Sequence, residues 1–298
     1  MQIKYYNSVN KSFEIEQVYG ASGVEFLYQT FLGKLIGYFL EFKPFSKIYG
    51  YFQSKESSQK KVLPFIEKFN IKIDQFEKEL VDDEVGYSSF NKFFCRKLKA
   101  GQRPFPKNQN ELGAFCEARY FAHNHNSEEI NFPVKGKYIN PVDLLKNNKW
   151  SDTFKNGSFV IARLCPVDYH RFHFPDNGEV LDFYEIHDRL ISVNPIALKV
   201  KPETFIRNER HVTIMQTENF GKLAYIEVGA ICVGKIVQSH SMTIGSKFKK
   251  GQEKGYFLFG GSTVIVLGEK EKIKFNKDFV SRSKEGIETY YQLGNIIN

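Results

Sequence analysis

The sequence predicts an α+β protein, with a helical N-terminal region packed on a mainly antiparallel β domain, and three observations carry that expectation. Apolar residues in the first third of the chain recur at three- and four-residue steps, the period of a helix face. From about residue 112 the texture changes to short apolar runs separated by Gly, Pro and Asn, the texture of strands and turns. With 298 residues, 42% of them hydrophobic, the chain is long enough to bury a substantial core.

Taken in order, Met1–Asn10 is polar and lacks the apolar core of a secretory signal, which points to a cytosolic origin. The most apolar stretch is "VEFLYQTFLGKLIGYFLEF", residues 24–42, in which Val24, Leu27, Phe31, Leu35, Tyr38 and Phe42 keep helical spacing. Glu25, Lys34 and Glu41 interrupt it, and a lysine at mid-bilayer costs about 2.5–3.5 kcal/mol. A helix packed on a core or lying in a membrane interface therefore fits better than a span. Further helices are expected over 59–69 and over 74–98, the latter broken near Gly86.

The helical region is expected to end near residue 110, giving 1–110 and a β-rich 111–298. The strand candidates are "SFVIARL", "VTIMQT", "KLAYIEVGAICVGKIV" and "YFLF". The charged tail after 270 reads as a segment that frays.

The net charge of +8 favours an anionic partner, whether nucleic acid, an anionic bilayer or an acidic substrate. The lysines are scattered, so a merely solvated basic surface accounts for the charge as well. Cys95, Cys116, Cys165 and Cys232 have no metal-like spacing and fit buried or free thiols.

Three stretches hold residues fit for chemistry. "GYFLFGGSTVIVLGE", 255–269, places Gly260-Gly261-Ser262-Thr263 between two apolar runs, either as a turn or as a serine on a tightly bent backbone. "CPVDYHRFHFP", 165–175, holds Asp168, His170 and His173, and on a strand Asp168 and His170 share one face. Such histidines either fill structural roles or trade protons. "FCEARYF", 115–121, adds Glu117, which taken alone reads as a surface carboxylate. Ser, His and a carboxylate in separate segments are the parts of a charge relay, yet no G-x-S-x-G elbow is present.

In sequence order, "YSSFNKFFCRKLKAGQRPF", "DYHRFHFP", "SVNP", "FIRNER", "YIEVGAICVGKI" and "KGQEKGYFLFGGSTVIVL" resemble the phosphatidylserine decarboxylase proenzymes over roughly residues 87–268. The resemblance implies self-cleavage between Gly261 and Ser262, leaving a β chain of 1–261 and an α chain that starts at 262. Ser262 would become a covalent pyruvoyl group, whose carbonyl takes the substrate amine as a Schiff base and accepts the electrons released with CO₂, without a metal. It implies His173 as general base of cleavage and His170 as proton donor in decarboxylation. The family's triad Asp falls by position on Glu117, a departure in this chain, which leaves Asp168 as the rival carboxylate.

The resemblance further implies phosphatidylserine drawn from anionic membranes, α and β chains that stay associated, no nucleic-acid partner and a peripheral place on the cytoplasmic face of the cell membrane. A homodimer is compatible with the sequence. Two other readings remain at this stage: a lipid-binding relative that no longer matures, and a pyruvoyl decarboxylase of a soluble amino acid.

Overall fold

The computed structural model describes the whole chain except residues 1–2, 18, 82–83, 126–139, 147, 202, 232–234 and 261. Two expected features, Gly261 and Cys232, thus lie outside the described residues. The architecture is α+β, built on a ten-stranded sheet with helices at one end.

The strands are β1 (Lys4–Asn7), β2 (Ser12–Ile15), β3 (Glu79–Val81), β4 (Glu84–Gly86), β5 (Ala118–His123), β6 (Phe159–Leu164), β7 (Arg171–His173) and β8 (Gly178–Ile186). They continue with β9 (Arg210–Thr217), β10 (Lys222–Gly229), β11 (Ile236–Gln238), β12 (Lys247–Phe248), β13 (Glu253–Phe257), β14 (Ser262–Gly268) and β15 (Glu288–Tyr291). The large sheet runs β12-β8-β9-β10-β14-β6-β5-β15-β1-β2, and a small sheet runs β11-β13-β7. All pairings are antiparallel except that of β1 with β15. Aromatic contacts join the sheets: Phe172 of β7 lies 4.9 Å from Phe257 and 6.2 Å from Tyr225 of β10, centroid to centroid.

The stretch read as one helix over 24–42 is two, α1 (Ala21–Gln29) and α2 (Phe31–Leu40). Thr30 divides them: its backbone is extended and its hydroxyl caps α2 by accepting from the Gly33 N–H at 2.9 Å. Then follow α3 (Lys43–Gln53) and α4 (Val62–Phe69), the latter within the expected 59–69. The third expected helix, 74–98, is instead the hairpin β3–β4 followed by the five-residue α5 (Phe90–Phe94). Ser89 starts α5 by capping Lys92, which is why helix begins only there.

The tail after 270 does not fray. An α-helix at Lys277–Lys284 covers β5, and β15 is paired on both sides, to β5 and β1. Buried Arg163 anchors it by binding Glu288 through two nitrogens. Residues 1–110, expected to be helical, also supply β1 and β2 to the large sheet.

Candidate active site

β14 lies in the middle of the large sheet, between β10 and β6, and every residue in it is buried. Its first residue, Ser262, pairs with Gly229 on one side and Leu164 on the other. The Ser262 hydroxyl is fully buried and has no hydrogen-bond partner among the described residues. A buried hydroxyl without a partner forfeits about 1–3 kcal/mol, so its persistence at this point calls for a reason.

The approach to Ser262 requires glycine. Gly260 has φ of 147°, a backbone state that residues with a Cβ rarely enter. The preceding strand end is pinned by α5: Asn91 accepts from the Phe259 N–H at 2.8 Å, and the Cys95 thiol donates to the Phe257 carbonyl at 3.2 Å. Asn91 also donates to the Gly50 carbonyl and the Ser54 hydroxyl, which ties α3 to the same point. Asn91 was not among the expected site residues, although it sits inside the "YSSFNKFF" motif.

His170 is fully buried, with its ring on that of Phe94 at 3.7 Å between centroids. Phe94 in turn packs on Phe259 at 4.9 Å, one residue before Gly260. Burial depresses the imidazole pKa to about 3, so the ring is neutral at physiological pH. Its Nδ1 lies 2.9 Å from the Asp168 carbonyl, which can only accept, so the proton belongs on Nδ1. Nε2 therefore carries a free lone pair, and it too is buried without a partner among the described residues.

His173 stands on β7 and is half-buried. Its Nδ1 donates to the Gly251 carbonyl at 2.9 Å, and Nε2 lies 3.3 Å from the Tyr169 hydroxyl. Burial lowers its pKa, again favouring the neutral ring.

Neither expected carboxylate bonds a histidine ring through its side chain. Glu117 is buried just before β5 and pairs with Arg103 Nε at 2.5 Å. Its segment does touch His173 through the main chain, where the His173 N–H donates to the Phe115 carbonyl at 2.8 Å. Asp168 lies in a turn rather than on a strand, closed by its own N–H donating to the Cys165 carbonyl at 2.8 Å. Its carboxylate accepts from Arg119 and from the Cys165 N–H, each at 2.7 Å. Burial outweighs Arg119 and raises the Asp168 pKa to about 6. Asp168 thus orients His170 by its carbonyl rather than its carboxylate.

Beside Gly260 and Leu164 opens a mainly apolar cavity of about 360 Å³, whose far wall includes Leu27 of α1, Leu40 of α2 and Tyr49 of α3. Among the described residues no group of three or more His, Cys, Asp or Glu side chains is disposed to hold a metal ion. The three described cysteines are free and buried.

Residues 90–291 match the family model described as phosphatidylserine decarboxylase. The chain is 40% identical over 296 residues to a phosphatidylserine decarboxylase proenzyme of Clostridium botulinum, covering 99% of this chain and 98% of that one. The proenzymes of Clostridium tetani and Ruminiclostridium cellulolyticum are 40% and 38% identical, each covering 99% of this chain and 97% of its own. A match of this length and identity establishes the kind of catalyst: the chain belongs to the phosphatidylserine decarboxylase family, and so is a carboxy-lyase.

Proposed function

We propose that the chain decarboxylates phosphatidylserine to phosphatidylethanolamine after cutting itself between Gly261 and Ser262. The observation that carries this is the fully buried Ser262 hydroxyl, without a partner among the described residues, set at the start of a central strand behind Gly260, whose φ favours glycine. In this reading Ser262 Oγ adds to the Gly261 carbonyl and the amide becomes an ester. Loss of the Ser262 α-proton expels the Gly261 carboxylate, and water converts the remaining dehydroalanine to a pyruvoyl group and ammonia.

The surroundings fit such a group. It would sit where β10 and β6 fix the strand end, with Phe94 and Phe259 excluding water and the free Nε2 of His170 able to carry a proton. Once formed, the group supplies the electron sink for loss of CO₂. The protein's part is to hold the amine-bearing headgroup and deliver a proton, which we assign to His170. His173 is assigned the removal of the Ser262 proton during cleavage, with Glu117 as the neighbouring carboxylate. A second reading, in which His170 serves both steps, is favoured by its unoccupied Nε2, since His173 Nε2 faces the Tyr169 hydroxyl.

Lipid as the substrate is supported by the helices. α2 buries its smallest residues, Gly33 and Gly37, and leaves Phe31, Leu32, Leu35 and Phe39 exposed. In α3 the buried residues are Ser46, Gly50 and Gln53, while Ile48, Tyr51 and Phe52 face out. Small residues inside and large apolar ones outside is the pattern of helices that contact lipid. Among the described residues no helix is long and apolar enough to cross a membrane. We therefore propose peripheral attachment to an anionic bilayer at the cytoplasmic face, with the cavity between these helices and Gly260 admitting the headgroup. A soluble amino acid as substrate leaves that apolar face without a purpose.

The test is a denaturing gel and intact mass of purified protein, with Ser262→Ala, His170→Ala and His173→Ala. The expected result is two chains, 1–261 and 262–298, the smaller lighter by the change from serine to pyruvoyl, and a single uncleaved chain for Ser262→Ala. Cleaved Ser262→Ala overturns the proposal. Cleaved but inactive His170→Ala beside uncleaved His173→Ala supports the divided roles, whereas the reverse cleavage pattern transfers the base to His170.

A further inference from the structure

A buried ion pair outside the expected site joins the two sheets. Lys254 of β13 and Glu227 of β10 are both fully buried, with Nζ 2.5 Å from Oε1. Gln238 of β11 completes the arrangement, accepting from Lys254 at 2.9 Å and donating to the second Glu227 oxygen at 3.3 Å. The ammonium is boxed by aromatic rings, its nitrogen 5.2 Å from the Tyr225 centroid and 5.8 Å from that of Phe172. Burial lowers the Lys254 pKa and raises that of Glu227, each opposed by the other's charge.

The pair's two strands each lie beside one that carries the chemistry, β10 beside β14 and β13 beside β7. Glu227 lies opposite Val264, and two residues on, on the same face, Gly229 lies opposite Ser262. On the other sheet, Gly255 pairs with Phe172, Glu253 pairs with His173, and the His170 carbonyl accepts from the Phe257 N–H at 3.0 Å. The β13–β7 register skips Lys254, so a bulge at that residue turns its side chain inward. A second polar contact runs the same way, from the Tyr225 hydroxyl to the His173 carbonyl at 3.3 Å.

We propose that Lys254 and Glu227 are positioning residues, whose ion pair docks the strand pair holding His170 and His173 onto the strand pair holding Ser262. The inference rests on the reading of Ser262 as the residue that cleaves. Neither charge need touch the reacting atoms. What the pair fixes is the separation of two sheets, and displacement of a catalytic group by about 1 Å is enough to cost about 10²-fold in rate.

The experiment follows the cleaved fraction against time for Lys254→Met, Glu227→Leu and the two together, in the full chain, with melting curves. Either single change strands a buried charge and is expected to slow cleavage by about 10²-fold. The double change replaces the pair by apolar side chains of similar volume, and is expected to recover most of the rate with the pH profile of cleavage unmoved. Single variants that cleave at the unmodified rate overturn the proposal. So does a double variant that melts normally yet cleaves as slowly as the singles, because the charges themselves would then be needed. Should a single variant fail to fold, the double variant decides alone, by cleaving or not once folded. Ser262→Ala is run beside them: if it cleaves, the Ser262 reading fails, whatever the pair does.

Discussion

Replacing Phe31, Phe39 and Phe52 together by serine probes whether the helical face meets lipid. These rings are 90%, 52% and 59% exposed, so more than half of each is open to solvent. Burying a whole phenylalanine side chain is worth roughly 2 kcal/mol. Scaled by those exposures, the three rings offer about 4 kcal/mol to a bilayer, or roughly 10³-fold in partitioning. The measurement is co-sedimentation with vesicles of phosphatidylserine and phosphatidylcholine, at low and at high salt. Attraction between basic side chains and anionic lipid fades with salt, whereas the aromatic contribution persists. By the same scaling the buried remainder of the three rings amounts to about 2 kcal/mol, so thermal melting should fall by a few degrees while the protein stays folded at the assay temperature. Partitioning of the triple variant within a factor of about three of the unmodified chain, equivalent to under 1 kcal/mol, would refute the membrane-facing assignment.

Three further outcomes are expected. The cleaved chains should co-elute in size-exclusion chromatography and separate only in denaturant, since β14 and β15 are each paired on both sides by strands of the larger chain. Glu117→Gln should lower stability by about 3 kcal/mol, read by chemical denaturation, because it leaves the largely buried Arg103 without its carboxylate. If Arg103→Gln matches that loss but cleaves normally while Glu117→Gln stalls, the carboxylate acts on the histidine as well. For Asp168, the folded pKa of about 6 stands above its ordinary 3.8, so folding takes up a proton. Its contribution is most favourable below about pH 4 and is lost as pH rises through 6, and Asp168→Asn should remove that slope from stability measured between pH 4 and 6.

The parts of the fold and site that were legible in the sequence are those set by local pattern. The short apolar runs that became β6, β9, β10 and β14 stand between Gly, Pro and Asn in the chain itself, and the glycines before Ser262 mark a bend that the φ of Gly260 makes explicit. What was not legible depends on contacts made at a distance. The tail was read as frayed because its charges look solvated, but Glu288 meets Arg163, 125 residues away, inside the protein. Glu227 sits in a strand run where a charge reads as a solvent-facing position, and only the bulge at Lys254 supplies its buried partner. The 24–42 stretch has helical spacing that says nothing of which face is buried; the close approach permitted by Gly33 turned the phenylalanines outward, since a Cβ there would lie 1.8 Å from the Phe26 carbonyl oxygen. Asn91 gave no periodic signal, because its role is to bond two separate segments at once, α3 and the chain before Gly260.

The proposed scissile bond lies at the start of a central strand, a place that would resolve a conflict inherent in self-processing. A protein that cuts its own backbone risks losing the piece that carries the new reactive end, and a loop site would leave that end mobile. Here residue 262 is the first of seven in β14, hydrogen-bonded into β10 and β6 along its length, so the proposed new terminus inherits a fixed position from the sheet. The same strand keeps water out, since all its residues are buried. Upstream, Gly260 holds a backbone state that few residues other than glycine accept, so the backbone can bend just before the proposed cut. A fixed strand after the proposed bond and a permissive glycine before it divide the two demands, for retention and for bending, between two sides of one peptide.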